Sequence, residues 1–191
     1  IKKILDNLYS FNRAQVLYKG EVHSIRTSSD LNRMVSKICA KHFKYTPKLN
    51  NEMINKHLIT KPIMRARQKV VNGLLSNYLQ PNLGITGSGP ELSIFKSLIR
   101  VPGVLVEEGD FVYLQKISQL ADQGLIEVLA DLKDVIFHSY EGISFQSIIK
   151  KLCSPPYGVR KGVIPVLLGI VLHGQTQEIM LLDSEGNEIG R

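Results

Sequence analysis

The chain has no tryptophan and only two cysteines in 191 residues. Cys39 and Cys153 lie far apart, with no C-x-x-C between them, and the five histidines (His23, His42, His57, His138 and His173) show no H-x-x-x-H spacing. Neither a disulfide framework nor a structural zinc site is therefore expected. Both cysteines fall on apolar faces of predicted helices, which predicts buried thiols. Equally absent are G-x-S-x-G, H-E-x-x-H and the Gly-Lys-Ser/Thr ending of a phosphate loop. The expectation is no catalytic residue, no metal ligand and no cofactor of the chain's own. No apolar run approaches the roughly 20 residues of a membrane span. The longest, Val163 to Leu172, is broken by Pro165 and Gly169. Ile1-Lys2-Lys3 is followed by Asp6 and Asn7 instead of an apolar signal region. A cytoplasmic protein with no membrane partner is expected.

What is present belongs to a folded globular chain: 43% of residues are apolar and 21% charged, far from the composition of disorder. The length suffices for one domain or two small ones. The sequence starts at Ile1 without an initiator Met and stops at Gly190-Arg191 after a strand-like run. It therefore reads as a segment of a larger protein, whose catalytic residues would lie elsewhere.

Net charge is +7, and the excess has a location. From Lys37 to Lys69 run Lys37, Lys41, Lys44, Lys48, Lys56, Lys61, Arg65, Arg67 and Lys69, against the single acid Glu52. Residues 107–141 are net acidic. A basic stretch of this kind favours anionic partners, DNA or RNA first among them.

Residues 1–13 read as a short helix end. Gln15 to Ile25 reads as two short strands turning at Lys19-Gly20. Ser28 or Ser29 then caps a helix with apolar positions Leu31, Met34, Val35, Ile38, Cys39 and His42, ending before Thr46-Pro47. A short helix over Asn50 to Lys56 precedes a longer one capped by Thr60, with Pro62 in its first turn. Its predicted inner face is Ile63, Ala66, Val70, Leu74 and Tyr78, and Gln80-Pro81 ends it. Ser88 or Gly89 starts the next helix, with Leu92, Phe95, Leu98 and Ile99 inward. Val101 to Leu114 reads as a hairpin around Glu107 to Asp110. A long helix is expected over about Lys116 to Ser139. Ser144 caps another through Leu152, and Glu178 to Gly190 reads as a second hairpin turning near Asp183 to Gly186.

The order helix, helix, hairpin thus occurs twice, ending at Leu114 and at Gly190. It is the order of a winged helix. The expected fold is α+β, mostly α. Two winged-helix-like subdomains, residues 1–114 and 115–191, would be joined by the long helix.

Three stretches invite a functional reading. In "SPPYGVRKGVIPVLLGIVLHG" (Ser154 to Gly174), Pro155-Pro156 stop one helix, Gly158 permits a left-handed turn, and a second helix starts near Lys161. Arg160 and Lys161 would sit at the start of that helix, where a recognition helix meets phosphates. The helix itself has no polar face to offer a groove, which makes it a core helix with secondary basic contacts. The Thr60 helix is the stronger candidate. Lys61, Arg65 and Lys69 recur every four residues along one face, with Arg67 beside them. Such a stripe would give salt-dependent, largely sequence-blind phosphate binding; the competing reading is a merely solvated basic face. "GITGSGPE" (Gly84 to Glu91) resembles a phosphate loop only in outline, because Glu91 would repel phosphate in the first helical turn.

The stretches "PKLNNEMINKHLITKPIMRARQKVV" (Pro47 to Val71), "LGITGSGPELSIFKSLI" (Leu83 to Ile99) and "PPYGVRKGVIPVLL" (Pro155 to Leu168) together resemble segments of large bacterial multidomain P-loop ATPases of the restriction and phage-defence type. That resemblance implies an accessory helical and winged-helix region beside an ATPase core. It transfers no ATP hydrolysis, since the chain has no Walker motif. The expected function is a non-catalytic accessory domain, binding nucleic acid through Lys61, Arg65, Arg67 and Lys69, with Arg160 and Lys161 secondary. The alternative is a scaffold that docks on the ATPase core or on other domains of the parent protein.

Overall fold

A computed structural model describes residues 16–56, 58–76, 78–139 and 142–189. The helix end expected over residues 1–13 lies outside them, as do His57 and the final two residues. The chain divides between Lys44 and Tyr45 into two compact units.

In the first unit, β1 (Val16–Tyr18) pairs antiparallel with β2 (Glu21–His23). Lys19 and Gly20 both take positive φ, +53° and +83°, as a tight two-residue hairpin turn demands. Helix α1 (Ser28–His42) is capped by Thr27, one residue before the serines expected to do so. Thr27 wins because its hydroxyl accepts from the Asp30 N–H while the Asp30 carboxylate accepts from the Thr27 N–H. This capping box satisfies two helix-end donors at once. The Tyr18 hydroxyl and His42 Nε2 lie 3.0 Å apart and tie the hairpin to the end of α1. No residue of α1 is buried. Its half-buried stripe is Leu31, Met34 and Ile38. Cys39 lies just beyond that stripe and is exposed, not buried as expected; Cys153, in the second unit, is only half-buried.

The second unit runs through α2 (Glu52–Asn55), α3 (Lys61–Leu74), a single 3-10 turn (Pro81–Gly84) and α4 (Pro90–Phe95), which continues into a π turn (Lys96–Arg100). There follow the hairpin β3 (Leu105–Glu108) and β4 (Phe111–Leu114), a 3-10 turn (Ile117–Gln119), and helices α5 (Gln123–Phe137), α6 (Phe145–Cys153) and α7 (Ile164–Leu172). The chain is therefore α+β and mostly helical, with two small antiparallel hairpins among the described residues. Among the described residues, no helix is long and apolar enough to cross a membrane.

Helix α7 is buried nearly all round, through Ile164, Val166, Leu167, Gly169, Ile170 and Val171. It packs against α3 and α5. Gly169 permits this approach, since a Cβ there would meet the Leu74 side chain at 3.2 Å. Ala66, Val70 and Leu74 of α3, Phe95 of α4, Leu98 and Ile99 of the π turn, and Leu125, Val128, Leu129 and Leu132 of α5 complete one cluster. That core takes residues from both sides of Leu114.

Four features differ from expectation. Helix α3 stops at Leu74, so Tyr78 leaves the inner face and stands 83% exposed. Gly73 brings α3 against the Pro81–Gly84 turn, with Leu83 Cβ only 2.7 Å from where a side chain would begin. The long helix expected from Lys116 is interrupted. Asp122 caps a fresh start by accepting from the Gly124 N–H at 2.9 Å, and its other oxygen takes the Lys48 N–H. Helix α7 begins at Ile164, leaving Arg160 and Lys161 in the loop before it. The second hairpin is reduced to one bridge, Leu182 to Glu188, because Asp183 gathers the Glu185 and Asn187 N–H groups into a tight turn.

Candidate nucleic-acid interface

Helix α3 turns Ala66, Val70 and Leu74 to the core, so at 100° per residue Lys61 and Arg65 must point to solvent. Thr60 occupies the N-cap, Pro62 the first turn, and no acid is present there. The positive end of the helix dipole is consequently not offset by a carboxylate of its own first turn. Lys61 and Arg65 are exposed and form no ion pair among the described residues. The other two basic side chains of α3 have different surroundings.

Lys69 Nζ lies 2.7 Å from Glu91 Oε1, at the start of α4. The Glu91 side chain is only 15% exposed. Hydrogen bonding from Lys69 holds its carboxyl below the usual range. The "GITGSGPE" stretch accordingly serves as a loop and a helix start, with Gly89 at the N-cap and Glu91 engaging α3.

Arg67 lies on the opposite flank of α3. Its Nη1 donates to the Gly162 carbonyl at 3.1 Å, and partial burial lowers its pKa. Gly162 also packs against the Ile54 carbonyl and the Ile59 side chain so closely that no Cβ fits. The loop carrying Arg160 and Lys161 is thus pinned at both α3 and the α2–α3 turn. Lys161 adjoins Gly162 and Lys61 follows Ile59 by two residues, so each of the two sequence-distant basic sets has one member close along the chain to a residue of this contact. Arg160 and Lys161 are exposed. Lys56, between α2 and α3, is exposed at the same turn. It belongs to the basic stretch but to no helical stripe, which is why spacing did not single it out.

The start of α2 is held by Asn51. Its Oδ1 accepts from the Met53 N–H at 3.1 Å, and its Nδ2 donates to Ser97 Oγ at 2.8 Å. His173 lies elsewhere, with Nδ1 2.6 Å from the Leu74 carbonyl oxygen at the end of α3. Among the described residues, no group of three or more His, Cys, Asp or Glu side chains is arranged to hold a metal ion. No family model, curated protein or solved structure matches the chain.

Proposed function

We propose that the second unit is a non-catalytic nucleic-acid-binding module, in the manner of a winged helix, within a larger bacterial multidomain ATPase. The observation that carries this reading is the shared contact at Gly162, which joins the Arg160–Lys161 loop to the α2–α3 turn beside Lys61. Lys61, Arg65, Arg160 and Lys161 are the phosphate contacts. Arg67 positions the loop from behind, and Lys69 is engaged by Glu91. The reading rests on positive charge, so binding is expected to be governed by phosphate contacts and to fall with salt. The ATPase setting rests on the resemblance of the Pro47–Val71, Leu83–Ile99 and Pro155–Leu168 stretches.

Charge reversal tests it. Lys61→Glu with Arg65→Glu is expected to weaken binding to labelled duplex DNA by roughly tenfold or more at low salt. Lys133→Glu with Lys150→Glu changes net charge equally, at exposed positions on α5 and α6. It is expected to have a much smaller effect. Equal losses in the two pairs would sink the assignment to α3.

A second reading, a docking scaffold for the parent protein, is favoured by the run 180–189. All of its described residues are exposed, Met180, Leu181, Leu182 and Ile189 included. Binding of added parent-protein domains, lost on Leu181→Ser with Leu182→Ser and accompanied by no DNA binding, would favour it over the first.

A further inference from the structure

Beside hairpin β3–β4 lies an open groove of about 540 Å³, lined by Tyr78, Leu79, residues 110–114 and His173. Consecutive residues of a strand alternate between its two faces. When all of them line one space, the strand borders it with its edge. The register supports this. Glu108 pairs with Phe111 and Val106 with Tyr113, and the Gln115 N–H donates to the Val104 carbonyl at 2.8 Å. In an antiparallel pair, bonded positions alternate with unbonded ones. Phe111, Tyr113 and Gln115 therefore bond to the β3 side, and the N–H and C=O groups of Val112 and Leu114 point outward. The sheet has two strands, so no described strand pairs with that edge.

The groove is also charged and aromatic. Asp110 lines it, and Glu108 lies beside Tyr113, whose phenol proton is held more tightly than usual by partial burial first and by that carboxylate second. Tyr78 and Phe111 are 83% and 75% exposed. Negative charge here, in a chain of net charge +7, disfavours phosphates and favours a cation. Aromatic faces attract cations as well. Val112 and Leu114 pack their side chains against the core, so the edge is already formed before any partner arrives.

We propose that this groove binds an extended, basic peptide segment of a protein partner, added to β4 as a third strand. Its main chain pairs with Val112 and Leu114. A Lys or Arg side chain lies over the aromatic rings and points to Asp110. At about 3.3 Å per residue, the four residues of β4 accommodate a segment of roughly four or five residues. The proposal does not depend on nucleic-acid binding, since it uses none of the same side chains.

The test is an NMR amide titration of the full chain with the peptide acetyl-KVTVRV-amide. The expected result is shifts centred on Val112 and Leu114, with slowed exchange of those two amides. The acidic twin acetyl-EVTVEV-amide should leave them unmoved, and Asp110→Lys should weaken the basic peptide by about tenfold. Two N-methylated peptides, one blocked at odd positions and one at even, keep the test on the unaltered chain. One should bind and the other fail. Equal binding of both N-methylated forms, equal binding of the acidic twin, or no shift at millimolar peptide would overturn the proposal. So would the same amide shifts on adding oligo-dT, or protection of those amides that disappears on dilution of the chain alone.

Discussion

At the residue scale, the second unit is organised by close backbone approaches that only glycine allows. Gly162 is the sharpest, because a Cβ there would overlap the Ile54 carbonyl oxygen and crowd the Ile59 side chain. Gly162→Ala is expected to cost about 3 kcal/mol, at the upper end of overpacking, as read from denaturant unfolding. In the sequence this glycine is one more residue of the passage from the Gly158 turn into the next helix. Its partner lies far away in the chain, and no local pattern encodes such a contact. Arg67 was indistinguishable from Lys61 and Arg65 for the same reason: spacing puts it on a helix flank but cannot supply the carbonyl waiting there. Lys69 and Glu91 make a second prediction. The Glu91 carboxyl is held below its ordinary 4.5, so its contribution to stability is present above that pH and is lost as pH falls through the lowered value. Lys69→Met should raise the Glu91 pKa, followed by carboxyl NMR, and shift that acid loss to higher pH.

At the scale of elements, capping decides more than periodicity. The Lys19-Gly20 turn, Ser144 at the N-cap of α6 and the β3–β4 hairpin were legible, since each depends on one or two residues acting locally. The long helix was not. The apolar period runs on from Leu120 into α5, yet Asp122 satisfies the Gly124 and Lys48 N–H groups and restarts the helix. The end of α3 was missed because Tyr78 extends the apolar spacing past the point where the backbone turns at Leu74. The π turn at Lys96–Arg100 left no sequence signal at all. Asn51 illustrates how much one cap holds. It is 6% exposed and links the start of α2 to Ser97. Asn51→Ala should destabilise the chain by about 1–2 kcal/mol, since the cap is lost and Ser97 is left without that donor. Urea unfolding measures it.

At the scale of the whole molecule, the candidate interface follows from how the buried α7 is fed into the core. The chain reaches α7 through Arg160, Lys161 and Gly162, and Gly162 fits closely against the Ile54 carbonyl of α2 and the Ile59 side chain. Two basic segments separated by about a hundred residues are thereby set beside one contact, which neither stretch could reveal alone. The α+β, mostly helical class was legible from composition and period, and so were Lys61, Arg65, Arg160 and Lys161 as exposed cations. The contact at Gly162 that joins the two segments was not. The most direct measurement is the salt dependence of duplex DNA binding between about 50 and 200 mM, for the native chain and for Arg160→Glu with Lys161→Glu. If the loop and α3 act as one surface, log affinity falls linearly with log salt for the native chain. The slope should then be shallower by about two in the variant. No binding of the native chain at the lowest salt, or an unchanged slope in the variant, would contradict the account.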